Sequence, residues 1–132
     1  VDEAALVAML REHRIANGQP TWQRSGMIYR NADARPVQML PGLVRRTLAD
    51  GPSMMMCEFT FAAGIQIPDH AHPHKQVGYV VSGRVRLTID GESFELGPGD
   101  SYYAPSNVSH GALTLEPSVV VDTFSPPRED YR

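Results

Sequence analysis

The chain has 132 residues, 42% hydrophobic and 20% charged, with a net charge of −3. That length suits one domain, which can bury roughly two-thirds of the surface its unfolded form exposes without disulfide staples. The mildly acidic balance argues against a nucleic-acid binder, and the longest apolar runs, Ala4–Leu10 and Val119–Val121, are too short to span a membrane.

A lone cysteine, Cys57, has no internal partner and suits a reducing compartment. Asp2 and Glu3 stand where a secretory leader would be basic, so a cytoplasmic location is expected. Residues 2–16 predict a helix, with Leu6, Met9, Leu10 and His13 at three- and four-residue spacing and Asn17, Gly18 and Pro20 as a stop. It would pack against the body of the protein or a partner subunit. Thr21–Arg30 reads as a strand and Asn31–Pro36 as a loop. Val37–Leu40 and Leu43–Leu48 read as strands around Pro41-Gly42, and Asp50-Gly51-Pro52 as a turn.

Met54–Phe61 is a long extended segment. Alternation puts Met55, Cys57, Phe59 and Phe61 on one face and Met54, Met56, Glu58 and Thr60 on the other, with Glu58 a candidate for the interior. Gln76–Ser82 and Arg84–Asp90 follow as strands around Ser82-Gly83. Asp90-Gly91 is a hairpin signal leading into Glu92–Leu96. Strands continue at Ser101–Ala104, Ser109–Leu115 and Ser118–Phe124. Short strands at this spacing, with eleven Gly and eleven Pro between elements, predict an all-β antiparallel barrel or sandwich such as a jelly roll. The division expected is an N-terminal helix and extension over residues 1–36 and a barrel domain over 37–132.

Three of the five histidines fall in His70-Ala71-His72-Pro73-His74, and His110 lies forty residues on. His70 and His72 are two apart, so an extended backbone aims both rings to one face. That face can present two imidazoles to one metal ion. Gln76 can add a carbonyl oxygen, and His110 must arrive from another strand. Scattered surface histidines would not show this clustering. His74 follows Pro73, whose bend turns it away, so it reads as a neighbour and not a ligand. Lys75 is expected in solvent. Tyr79, Tyr102 and Tyr103 are expected in the core or pocket wall, with one hydroxyl available near the metal.

These residues resemble the cupins. The spacing from Gly64 through His70, His72 and Gln76 to Gly83 is similar to the first cupin motif, and Gly99-Asp100 through Pro105 to His110 is similar to the second. The resemblance implies a double-stranded β-helix barrel holding one divalent transition metal (Zn, Ni, Mn or Fe) on His70, His72, Gln76 and His110. Gln76 departs from the broad cupin pattern, which has Glu there. An all-neutral ligand set leaves the ion its full charge. That favours a Lewis acid over the carboxylate-containing sites of non-haem iron oxygenases.

From about Met39 to Tyr131 the chain more closely resembles the KdgF-type cupins of pectin and alginate breakdown, which also use Gln as the fourth ligand. That resemblance implies a catalytic acid or base at Asp122, and substrate contacts from Phe124 and Arg128. It implies as substrate a small carboxylate or sugar acid, with ring opening and ketonisation of unsaturated uronates as the reaction. The alternatives are a cupin dioxygenase, a lyase of another small carboxylate, or a non-catalytic metal- or sugar-binding cupin. No nucleic-acid or membrane partner is expected. A homodimer is, because short cupins commonly pair through their sheets.

Overall fold

A computed structural model describes residues 2–7 and 26–132. Residues 3–7 are helical, and Asp2 caps them by accepting the Ala4 N–H on Oδ1 at 3.0 Å. The rest of the expected helix, residues 8–16, lies outside the described residues, as does the first half of the expected strand Thr21–Arg30. The described half is a correction to that strand. Residues 26–27 form a turn, and 28–30 pair with no strand among the described residues. Tyr29 instead meets the barrel through its side chain, its hydroxyl donating to the Asp50 carbonyl at 2.9 Å.

Ten strands build the rest. They are β1 (Pro36–Leu40), β2 (Leu43–Asp50), β3 (Met55–Phe61), β4 (Gln66–His70), β5 (Lys75–Ser82), β6 (Val85–Ile89), β7 (Glu92–Leu96), β8 (Ser101–Ala104), β9 (His110–Thr114) and β10 (Ser118–Ser125). They form a six-stranded sheet, β1-β2-β3-β10-β5-β8, facing a four-stranded sheet, β4-β9-β6-β7, and all pairs are antiparallel. This is the all-β jelly roll expected from the turn spacing. The Asp90-Gly91 signal makes a tight hairpin between β6 and β7, both residues taking positive φ, 50° and 80°. The strand without a clear sequence signal is β4. It carries Pro68, which an edge strand tolerates because one side of its backbone has no ladder to donate to.

The alternation in β3 resolves in favour of the apolar side. Met55, Cys57 and Phe59 point inward and pack with Leu43 and Phe124 into one buried cluster, flanked by Phe61, Ile65, Ile67 and Tyr131. Glu58 is therefore on the outer face, contrary to its candidacy for the interior, where its Oε1 accepts from Asn31 Nδ2 at 3.1 Å. Burying Met55 and Phe59, at about 1.5–3 kcal/mol each, outweighs any placement that would desolvate Glu58. A second cluster, Val80, Val85 and Val120, adjoins it, with Val120 opposite Phe59 in the β3–β10 ladder and Phe61 against both. Among the inward positions of β5, β9 and β10, Gln76, His110 and Asp122 are polar and buried.

Candidate functional site

β4 ends on His70, the bend after it carries His72, and His110 opens β9 directly opposite His70 in the β4–β9 ladder. Their ring centroids lie 4.5 Å (His70–His110), 4.8 Å (His72–His110) and 5.6 Å (His70–His72) apart. One nitrogen from each falls within 4.8 Å of the others. Three imidazoles are thus positioned to hold a metal.

The tautomers follow from the hydrogen bonds. Each Nδ1 contacts a backbone carbonyl: His70 that of Pro68 at 2.9 Å, His72 that of His74 at 3.0 Å, and His110 that of Val108 at 2.9 Å. A carbonyl only accepts, so each Nδ1 carries the proton and each Nε2 keeps a bare lone pair. His110 Nε2 is buried without a partner among the described residues. His72 Nε2 lies 3.0 Å from Gln76 Oε1, so two acceptors face one another. A buried orphan acceptor and an acceptor–acceptor contact are both relieved by a shared cation. The donor set of imidazole nitrogens and an amide oxygen suits a first-row divalent ion. The metal expected from the sequence therefore fits these residues.

Burial holds the pKa values of both His72 and His110 below the ordinary imidazole value, with the Arg128 charge acting in the same direction. Neutral rings are the ligating form. His74 sits beside the cluster, 5.3 Å from His72 between ring centroids, and contributes its carbonyl to the His72 tautomer. Lys75 is exposed, as expected.

Gln76, Asp122 and Tyr102 join the cluster through strand register. Gly78 on β5 pairs with Asp122 on β10 and with Tyr102 on β8. With no side chain on the middle strand, Tyr102 reaches across it and donates to Asp122 Oδ1 at 2.6 Å. A Cβ at residue 78 would lie 1.9 Å from Tyr102 Cε1 and 2.5 Å from Asp122 Oδ1. The Tyr102 hydroxyl in turn accepts from Gln76 Nε2 at 2.7 Å. Asp122 is 7% exposed, and burial pushes its pKa up to about 6, against the lowering effects of Tyr102, Gln76 and Arg128. Tyr79 and Tyr103 do not share this place. Both point outward from the six-stranded sheet, half exposed, which corrects their expected position in the core or pocket wall.

Arg128 lies over the Phe124 ring (5.4 Å to its centroid) and the Tyr131 ring (4.2 Å). Asp130 grips it side-on, Nε to Oδ1 at 3.2 Å and Nη2 to Oδ2 at 2.9 Å. Arg128, Phe124 and Tyr131, together with His70, Gln76 and Asp122, line a cavity of about 280 Å³. Phe124 is 1% exposed and packs against Met55 and Phe59, so it supports Arg128 and floors the cavity. Its ring is nearly covered, so the substrate contact expected of it would come from the small surface it gives the cavity wall. The residues that sequence reasoning missed here are Asp130 and Tyr131.

A family model for the cupin domain matches residues 57–124. The chain is 39% identical over 92 residues to the pectin degradation protein KdgF of Dickeya dadantii (strain 3937), covering 68% of this chain and 84% of that one. Among solved structures it is similar to KdgF from Halomonas sp., with a TM-score of 0.76 and 37% identity over 80% of this chain and 97% of the other. An RmlC-like cupin from Shewanella frigidimarina NCIMB 400 gives a TM-score of 0.77 and 34% identity over 80% and 95%. With two antiparallel sheets closed around convergent imidazoles, and relatives covered almost end to end, the chain belongs to the cupin family, as a KdgF-like member.

Proposed function

We propose that the protein is a metal-dependent cupin enzyme that opens unsaturated uronate rings to their keto-acid form. The observation that carries this reading is the convergence of three imidazoles with bare Nε2 lone pairs and the Gln76 amide oxygen, beside a cavity that His70, Gln76 and the buried Asp122 carboxyl line. His70, His72, Gln76 and His110 would hold the ion. Bound there, a divalent metal supplies Lewis acidity toward substrate oxygens.

Opening such a ring is a net isomerisation. The ring C–O bond at the hemiacetal carbon breaks, the hemiacetal hydroxyl loses its proton, and the released enol takes a proton on carbon as it becomes a ketone. Asp122 suits both transfers, because burial brings its pKa close to neutrality and its Oδ2 makes no hydrogen bond among the described residues. Arg128 suits the substrate carboxylate. Its guanidinium lies over two rings at the cavity wall with Nη1 left free by Asp130. The near-neutral chain has little long-range pull on an anion, so capture falls to Arg128 and the metal.

The test is a panel of unsaturated uronates incubated with metal-loaded protein and followed by ultraviolet absorbance of the enol ether. Loss of absorbance with appearance of the keto acid supports the reading. Absorbance unchanged across the panel, with ligand still bound, would instead mean a non-catalytic binding protein. Oxygen uptake by the iron form would point to the dioxygenase alternative.

A homodimer is part of the same proposal. The outer face of β5 and β8 exposes Val77, Tyr79, Val81 and Tyr103, each about half accessible, which a second copy could cover. Light scattering on the eluting protein distinguishes a dimer from a monomer.

A further inference from the structure

The Gln at position 76 raises a question that the metal alone does not answer, since a carboxylate would also be a good ligand there. The hydrogen bonds around it supply a reason. Gln76 Nε2 donates to the Tyr102 hydroxyl at 2.7 Å, and that hydroxyl donates its single proton to Asp122 Oδ1 at 2.6 Å. The chain of donors runs one way, from amide to phenol to carboxylate. Because the amide N–H₂ is committed to Tyr102, the other end of the group, Oε1, is the end that faces His72, 3.0 Å away.

We propose that Tyr102 is a positioning residue that fixes which end of Gln76 faces the metal and, through the same hydroxyl, which oxygen of Asp122 is free to move a proton. This rests on the reading of Gln76 as a ligand and Asp122 as the acid–base group. Two features of the chain support it. Gly78 leaves the gap through which the Tyr102 ring crosses between its neighbours, so the sequence makes room for this contact at the cost of a side chain in mid-strand. And Tyr102 is turned inward while its neighbour Tyr103 is turned to solvent, so the hydroxyl is placed by strand parity and not by chance proximity.

The same chain accounts for Gln over Glu. A glutamate has no N–H to give, and Tyr102 has one proton for two carboxylates. Either Asp122 loses its donor, or the glutamate must itself be protonated and becomes a poor ligand. The identity of residue 76 and the hydroxyl of residue 102 should therefore be energetically coupled.

The experiment is a double-mutant cycle on the full chain, with Gln76→Glu, Tyr102→Phe and the double variant. Each is stripped of metal and titrated with Co²⁺, the affinity read by competition and the ligand field by its visible spectrum. Far-ultraviolet circular dichroism of each metal-free variant checks the fold. Tyr102→Phe alone is expected to weaken Co²⁺ binding by about tenfold, the lower end for residues that orient metal ligands. Gln76→Glu is expected to improve Co²⁺ affinity by a factor roughly tenfold greater in the Tyr102→Phe background than beside the native Tyr102. An additive cycle, with that factor the same within about twofold in both backgrounds, overturns the role of Tyr102. Phenylalanine fills the same space, so a ring that only packs would give the additive result. Wild-type protein that binds no Co²⁺ would sink the metal reading and this inference with it, whereas binding with an additive cycle would remove the inference alone.

Discussion

The barrel interior divides into two regions that share one strand but differ in what holds them together. At one end Leu43, Met55, Cys57, Phe59 and Phe124 form an apolar cluster in which only size and shape matter. Beside it His72, Gln76, His110 and Asp122 are buried nearly as deeply, at 4–9% exposure, with only Asp122 on a strand of the apolar cluster. Phe124 and Asp122 are two residues apart on one face of β10, and one belongs to each region. The apolar region stabilises the fold. The polar region is a cost to it, offset by directed hydrogen bonds and, we propose, by a metal. Substitutions should therefore separate cleanly, those in one region changing stability and those in the other changing metal binding and turnover.

The largest effect is expected from His110→Ala. Removing one of three convergent imidazoles should weaken metal binding by at least about a hundredfold and abolish turnover, measured by metal content after gel filtration and by rate. Asp122→Asn should leave the metal content as it is in wild type while lowering kcat by about 10²–10⁴-fold, because the amide still accepts from Tyr102 but transfers no proton. Equal rates for the Asp122→Asn variant and wild-type protein would move the acid–base role elsewhere. Met55→Ala belongs to the other region. It should lower unfolding free energy by about 2–5 kcal/mol in a urea titration, with metal affinity changed by no more than a few fold. A matching collapse of metal affinity would mean the two regions are not separable. The smallest effect concerns Cys57, wholly buried, whose thiol pKa burial pushes up. Thiol reagents near neutral pH should leave native protein unlabelled and modify it only on unfolding.

The sequence was most legible where two signals coincided. Alternation and turns together located β3, β5–β8, β9 and β10 to within a residue or two, and the paired motifs around His70, His72 and His110 located three side chains that do converge. Where a single signal had to serve, the reading failed. Parity split β3 into two faces without saying which was inward, and Glu58 fell on the wrong side because that choice depends on what Leu43 and Phe124 bring from other strands. The same ambiguity misplaced Tyr79 and Tyr103. β4 was hidden by Pro68 and has no alternation of its own; it is a strand because β9 pairs with it. The Gln76–Tyr102–Asp122 contacts were out of reach for another reason. They depend on the register of three strands, with Gly78 in the middle, and a register is a property of the pairing, not of any one segment.

If the polar region works as a metal-loaded site, turnover must return as metal is added back to stripped protein. An unsaturated uronate that the wild-type protein turns over is supplied in excess, and the rate is followed as a divalent ion is added stepwise. The rate should start near zero and rise in proportion to added metal. It should saturate at one equivalent per chain, with His110→Ala remaining flat throughout. Full turnover by the metal-free protein, or a rate in His110→Ala that climbs as in wild type, would contradict a metal-loaded site.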